Sequence, residues 1–389
     1  MGKGRIGHFA TNVSVSLVAI AISLFICELS IRLFVNPVDI LTPKLKEDNI
    51  LGHRILPKSG GHDSWGFRNN RVPDSVDIVA LGDSFTYGNS AKMSEAWPFV
   101  LHEISAKSVY NLGMGGYGPN QYYYLFLKNA LKLKPKCIIC GFYLGNDIRD
   151  AYVITYSKDY WSDLRNGKFD KLESSAASAF VPWHKKTRLW LSDNSVIYRL
   201  VIHGVFLGDL KRKSQALWAS RHGYPVLRIK DKGILQTFDL ADKLKNLSLD
   251  RPDTSEGLRI TLNLLKKMSS ECKKEGIHLL IALIPTKESV YAGYFQNNFI
   301  NSRETIEQII QEERTTTSAI IDFFNKNSIQ YVDLLPILQE GIKSKMLYPA
   351  GLDPHFNKTG YRFIAEYLYS IINSMHLIQR FYLSVGMLR

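Results

Sequence analysis

The stretch "VALGDSFTYG", Val79 to Gly88, decides how the rest of the chain is read. An apolar run ends abruptly at Gly82-Asp83-Ser84, and a helix-compatible segment follows. A strand that breaks into a glycine turn and then a helix is the opening of a βα unit. Glycine permits the sharp turn, and Ser84 lies just beyond the strand's carboxyl end. In a parallel α/β sheet that edge is where ligands bind. Ser84 is therefore either a nucleophile or a serine that caps a helix. The choice depends on whether the chain supplies a base, an orienting acid and an oxyanion hole.

The same rhythm continues outward. "SVYNLGM", "KCIICGFYLGN", "IHLLIALIPT" and "IQYVDLLP" read as further strands. Helices are expected at "SEAWPFVLHEISAK", "NQYYYLFLKNALKL", "SEGLRITLNLLKKMSSECKKEG", "ETIEQIIQEERTTTSAIIDFFNKN" and "KTGYRFIAEYLYSIINSM". Short apolar strands alternating with helices predict an α/β fold, a parallel sheet with helices on both faces. Residues 36–74, with Pro, Gly, Asn and charge but no sustained period, read as a linker and lead-in to a domain over 75–389. Residues 151–251 interrupt the rhythm and read as an insertion, a lid or docking surface, with an amphipathic helix at "NSVIYRLVIHGVFLGDLKRK".

The first 35 residues differ in kind. A basic "MGKGRIGHFATN" precedes an apolar run from about Phe9 to Cys27, close to the roughly 20 residues that cross a bilayer. No small-x-small cleavage site follows it, and Leu24-Phe25-Ile26 before Cys27 is too bulky for a lipoprotein signal. The segment reads as an uncleaved, single-pass anchor. Lys3 and Arg5 ahead of the span place the N-terminus in the cytoplasm and the remaining chain outside the inner membrane.

Lys and Arg number 49 against 36 Asp and Glu, a net charge of +13 that favours anionic partners. No nucleic-acid module signature is present in the sequence, so nucleic acid is not an expected partner. Cys137 and Cys140 in "CIIC" fall on a strand, where residues three apart lie about 10 Å from each other on opposite faces. They read as core residues, not as a disulfide or zinc pair, and no metal or cofactor is expected.

Other strand ends carry matching chemistry. "NLGMGGYGPNQ" puts glycines at 113, 115, 116 and 118, and "GNDIRD" puts Asn146 on the same edge. Backbone N–H groups and a side-chain amide can hold an oxyanion. "AGLDPHFNKTGY" brings Asp353 beside His355, where a carboxylate can orient an imidazole that accepts the serine proton. Singly these residues read as turns, caps and a surface histidine. Together, at the ends of four strands, they point to a nucleophilic site.

With those residues in place, the sequence resembles the SGNH/GDSL hydrolase family over about 75–286 and 329–375. Gly82-Asp83-Ser84, "NLGMGG", Gly145-Asn146-Asp147 and Asp353/His355 match its four blocks. The resemblance implies a flavodoxin-like sheet and metal-free ester or amide hydrolysis or acyl transfer. It implies Ser84, His355 and Asp353 as catalytic residues, and an oxyanion hole from Ser84 N–H, Gly116 N–H and the Asn146 side chain. The common form of the last block is Asp-x-x-His; here one residue separates Asp353 from His355, similar to envelope-polysaccharide acyltransferases. That spacing leaves open whether Asp353, a backbone carbonyl or water orients His355.

"LIPTKESVYAGY" has the Pro-x-Lys-x-x-x-Tyr form of membrane-associated relatives that O-acetylate polysaccharides. Lys287 is accordingly a candidate contact to an anionic sugar, against the alternative of a surface lysine starting a helix. His53, His62, His184, His203, His222 and His278 have no motif partner and read as structural. The leading expectation is a membrane-anchored serine esterase acting on an acyl, in particular acetyl, ester of an envelope glycan or lipid. The alternatives are a polysaccharide O-acetyltransferase with the same triad and a non-catalytic assembly protein that works with envelope-biosynthesis partners.

Overall fold

The structure is a computed structural model that describes residues 3–172, 183–203, 214, 218, 221–222, 224–229, 234–295 and 303–375. Its strands are β1 (Leu45–Asp48), β2 (Gly52–Ile55), β3 (Ile78–Gly82), β4 (Val109–Gly113), β5 (Cys137–Tyr143), β6 (Val226–Ile229), β7 (Ile234–Thr237), β8 (His278–Ile284) and β9 (Gln330–Asp333). Five of them form one all-parallel sheet in the order β4-β3-β5-β8-β9. Counted along that sheet alone the order is 2-1-3-4-5, the flavodoxin-like arrangement expected. Every residue of β3 and β5 is buried, as strands covered on both faces must be.

The chain leaves β3 toward β4 and then crosses back over β3 to β5. Right-handed crossovers in opposite directions put their helices on opposite faces. Helix Trp97–Ser105 covers one face and packs with the closing helix Lys358–Ser374. Helix Pro119–Lys128 covers the other, packed with helices Asp147–Ser157 and Pro252–Lys274. The reversal at β3 opens a crevice beyond its carboxyl end, where Ser84 begins the short helix Ser84–Tyr87.

Three features differ from the sequence reading. Residues 36–74 are not a linker. They contain the β1–β2 hairpin and a buried polar network in which Asp63 accepts from Asn69 Nδ2 (3.1 Å) and the Tyr110 hydroxyl (2.5 Å). Asn69 also exchanges two hydrogen bonds with the Asn111 backbone of β4. This segment is fixed by polar contacts rather than alternating apolar residues, so its sequence carries no period. Second, parts of 151–251 belong to the main body. Helix Asp147–Ser157 runs into it without a break, and β7 and helix Leu240–Leu247 pack beside the carboxyl ends of the sheet strands. Third, a helix the reading did not expect, Trp183–Asn194, precedes the expected amphipathic one over 194–213, of which the structure describes Val196–His203; residues 204–213 lie outside the described set. Cys137, Cys140 and Cys272 are free thiols buried in the core, and burial pushes Cys137 up to about 12.

Helix Lys3–Arg32 contains a 21-residue stretch, Asn12–Arg32, in which an 18-residue window reaches a mean hydropathy of 2.2 and is not buried against the protein. At 1.5 Å per residue it is about 30 Å long, the thickness of a bilayer's hydrocarbon core.

Candidate active site

Ser84, Asp353 and His355 converge. His355 Nε2 lies 2.8 Å from Ser84 Oγ, and His355 Nδ1 lies 2.7 Å from Asp353 Oδ1. A carboxylate only accepts, so Nδ1 carries the proton and Nε2 presents its lone pair to the serine hydroxyl. Ser84 Oγ also lies 3.3 Å from Asp83 Oδ2, a longer and weaker contact than that to His355. The single residue between Asp353 and His355 therefore does not prevent pairing: the carboxylate turns back to accept the ring N–H and the His355 backbone N–H (3.0 Å) together. The His355 ring packs on Phe85, 4.8 Å between centroids, so the helix that carries Ser84 also supports His355.

Burial opposes a charge on Asp353, but hydrogen bonds from the His355 ring, Ser90 and the His355 backbone outweigh it and hold the carboxyl at about 2. It is therefore an anion at neutral pH. Ser90, whose hydroxyl donates to Asp353 Oδ2, was not visible in the sequence: a serine in a turn 263 residues away carries no motif.

Gly82 is required at the turn into Ser84. Its φ is +154°, and a Cβ would fall 2.1 Å from Thr86 Oγ1 and 2.8 Å from the Gly141 carbonyl oxygen. Gly115 lies against Ser84, since a Cβ built on it would be 3.8 Å from Ser84 Cβ. Gly116 follows with φ +74°, which suits glycine. The Gly115 carbonyl accepts from His53 Nε2 at 3.0 Å. In a planar trans peptide the C=O and the next N–H point in opposite directions. The Gly116 N–H thus points away from the carbonyl that His53 holds. His53, expected to be only structural, holds the glycine loop, and Tyr117 secures it by donating its hydroxyl to the His53 carbonyl at 2.6 Å.

Asn146 occupies the N-cap position of helix Asp147–Ser157, but its side chain makes no capping bond. Its amide instead donates to Asp150 Oδ2 at 2.6 Å, and an amide carries a second N–H. Burial, with the Asp83 charge adding to it, raises Asp150 to about 7. Asp83 is raised to about 6, chiefly by burial. Asp147 is fully buried and held well above the carboxylate range by burial and by the charges of Asp83 and Asp150. Three acids crowd beneath the site, and Asp147 Oδ2 accepts from the Tyr122 hydroxyl and the Tyr143 N–H.

Lys287 corrects the expectation of a sugar contact. It is 1% exposed, and its ammonium donates to the Gly351 carbonyl (2.9 Å), the Asp353 carbonyl (3.2 Å) and Gln236 Oε1 (3.4 Å). Burial pulls it down to about 8, partly offset by the charges of Glu288 and Asp353. Its role is to fasten the loop that carries Asp353 and His355. Gln236 on β7 helps, donating to the Pro349 carbonyl at 3.1 Å, while the Thr237 N–H donates to Gly351 O at 3.2 Å. Thr286 and Tyr291 of the same run are buried too. Of the other histidines, His62 bonds the Ser59 carbonyl and the Tyr87 hydroxyl, and His222 bonds the Trp218 carbonyl. The side chains of His184 and His203 lie outside the described residues.

No family model and no curated protein matches the sequence. Among solved structures the chain is similar to a protein described as lipolytic, of the G-D-S-L family, from Desulfitobacterium hafniense (15% identity, TM-score 0.36, 76% of this chain and 98% of that one). It is similar to a lipase/acylhydrolase from Enterococcus faecalis (13%, TM-score 0.35, 77% and 95%) and to an acetyl xylan esterase (11%, TM-score 0.35, 76% and 98%). Likenesses this distant decide neither fold nor function, which rest on the strand order and side-chain geometry of the chain itself.

Proposed function

We propose that the protein is a membrane-anchored serine esterase of SGNH type that removes an acyl group, acetyl in the first instance, from an envelope glycan or lipid. The observation that carries the reading is the continuous chain Ser84 Oγ, His355 Nε2, His355 Nδ1, Asp353 Oδ1, with contacts of 2.8 and 2.7 Å. Ser84 Oγ attacks the ester carbonyl while His355 Nε2 takes its proton. The charge that develops on the carbonyl oxygen is met by the N–H groups of Ser84 and Gly116 and by the Asn146 amide. Collapse expels the alcohol, which leaves with the proton from His355, and an acyl-Ser84 enzyme remains. Water, deprotonated by the same imidazole, then releases the acid and restores Ser84. The apolar N-terminal helix supports anchoring, and the +13 charge suits an anionic envelope surface. A polysaccharide hydroxyl in place of that water would make the enzyme an O-acetyltransferase. Intact-mass spectrometry of the full chain in detergent with an acetyl ester donor tests the scheme. A 42 Da adduct on Ser84, about the mass of an acetyl group less one hydrogen, that turns over supports it. A donor consumed at equal rate by Ser84→Ala overturns it.

A further inference from the structure

The two helices Trp183–Asn194 and Val196–His203 are locked to the C-terminal end of the N-terminal helix. Glu28 caps the second helix: its carboxylate accepts from Val196 N–H (2.8 Å), Ile197 N–H (3.0 Å) and Ser195 Oγ (3.0 Å). Arg32, paired with Glu28 at 2.8 Å, donates to the Asn194 carbonyl at 2.7 Å. The pair is tied equally to the start of the catalytic body, through Arg199 Nε to the Ile40 carbonyl (2.8 Å) and the Thr42 N–H to the Ser192 carbonyl (3.1 Å). Glu28 and Arg32 close the apolar stretch that ends at Arg32, so these contacts fix the helix pair at the depth where hydrocarbon gives way to headgroups.

At that depth the helices present large apolar side chains outward. Leu189 is 48% exposed, Trp190 57%, Val201 73% and Ile202 53%, beside Leu33 and Phe34 at the end of the anchor. Lys185, Lys186 and Arg188 are exposed on the same segment. Apolar residues with a tryptophan, bordered by cations, are the composition of a helix that lies in a membrane interface. We infer that this pair is a membrane-seated shelf: Leu189, Trp190, Val201 and Ile202 enter the leaflet beside the anchor, and the three cations meet anionic headgroups. This rests on the anchoring read from the N-terminal helix. The lipid surface is the occupant because the shelf is continuous, through Glu28 and Arg32, with the segment that ends in it. Rigid seating would hold the catalytic edge at one height above the bilayer instead of letting it swing on a tether.

The test uses the full chain in nanodiscs of phosphatidylcholine and phosphatidylglycerol. The Trp190 contribution is the emission difference between wild type and Trp190→Phe, a mild change at an exposed site. Lipid carrying a doxyl group near the headgroup should quench that contribution about twofold or more, and aqueous iodide should leave it largely intact. A contribution unaffected by doxyl lipid overturns the shelf. It would then be iodide-sensitive if the face is in water, or iodide-resistant if another protein surface covers it. Carbonate washing of native membranes separates the two levels: release of the chain sinks the anchoring itself, whereas a retained chain with unquenched Trp190 sinks the shelf alone.

Discussion

The two sides of the catalytic edge are built on different physical terms. Ser84, Gly116 and Asn146 follow directly from the ends of β3, β4 and β5, whose register is set by the sheet: Gly82 pairs with Gly113 on one side and Gly141 on the other. Asp353 and His355 sit on a loop that belongs to no strand. That loop is held from outside by the Lys287 ammonium, the Gln236 amide, the Thr237 N–H and the Ser90 hydroxyl, and Tyr361 just beyond it donates to the Asn89 carbonyl. The nucleophile side inherits its position from the core; the base side is positioned by a handful of long-range polar contacts. Mutations should therefore cost rate alone on the first side, and rate together with stability on the second.

The largest effect should come from Ser84→Ala. Loss of a nucleophile typically costs about 10⁵- to 10⁶-fold in kcat. Fluorophosphonate labelling should vanish while the melting temperature stays near wild type, because only a hydroxyl at the surface of the crevice is removed. Labelling of the variant at the wild-type rate would break the assignment of the whole nucleophile side.

Asn146→Ala should cost about 100- to 1000-fold in kcat with KM changed by no more than a few-fold, since the donor matters most when the oxyanion forms. A near-normal kcat in a folded variant would reduce Asn146 to a partner of Asp150.

Lys287→Met tests the other side. It takes the ammonium donor from the Asp353 carbonyl and one of two donors from the Gly351 carbonyl, which keeps the Thr237 N–H, a loss of about 1–3 kcal/mol, and it frees the loop that carries Asp353. A displacement of about 1 Å is enough for a loss of up to about 100-fold in kcat. Thermal melting and steady-state kinetics should fall together. If Lys287→Met lost sugar-substrate binding through KM alone, with melting unchanged, the contact to an anionic glycan would be restored and the contrast between the two sides lost.

His53→Phe is a finer probe of the nucleophile side. The Gly115 carbonyl loses its donor, the Gly116 N–H loses its orientation, and kcat should fall by about tenfold, the equivalent of one hydrogen bond of roughly 1.4 kcal/mol. An unchanged kcat would mean that the glycine loop holds its own shape.

The smallest effect concerns pH. Asp150 sits at about 7 and Asp83 at about 6 in the folded chain, against about 3.9 for an unfolded aspartate. The folded state therefore takes up protons first, and stability rises as pH falls through 7 and 6, with the gain complete near 3.9. Asp353 has the opposite sign: held at about 2, it contributes stability above about 3.9 that is lost as pH falls toward 2. Melting temperature should climb modestly from pH 8 to pH 5, and Asp150→Asn should flatten that climb. A slope unchanged in Asp150→Asn would show that the acids under the nucleophile side do not titrate as a buried group.

What the sequence alone determined was everything encoded locally. Apolar runs of five to seven residues became β3, β4, β5 and β8 because burial on both faces selects such runs, and the residues just past them could be named. Asp353 and His355 were legible because an acid and an imidazole two residues apart form a unit in themselves. Only the tertiary structure decided which groups hold that unit in place. Lys287 reads as a surface lysine until the loop 64 residues away closes over it, and His53 reads as unemployed until Gly115, 62 residues on, offers its carbonyl. Residues 36–74 read as a linker because their burial is satisfied by side-chain hydrogen bonds to β4, which leave no hydrophobic period behind. A single hydrogen bond between distant residues leaves no trace in local composition, yet in a buried site it fixes geometry, since the cost of leaving either partner unpaired is too great.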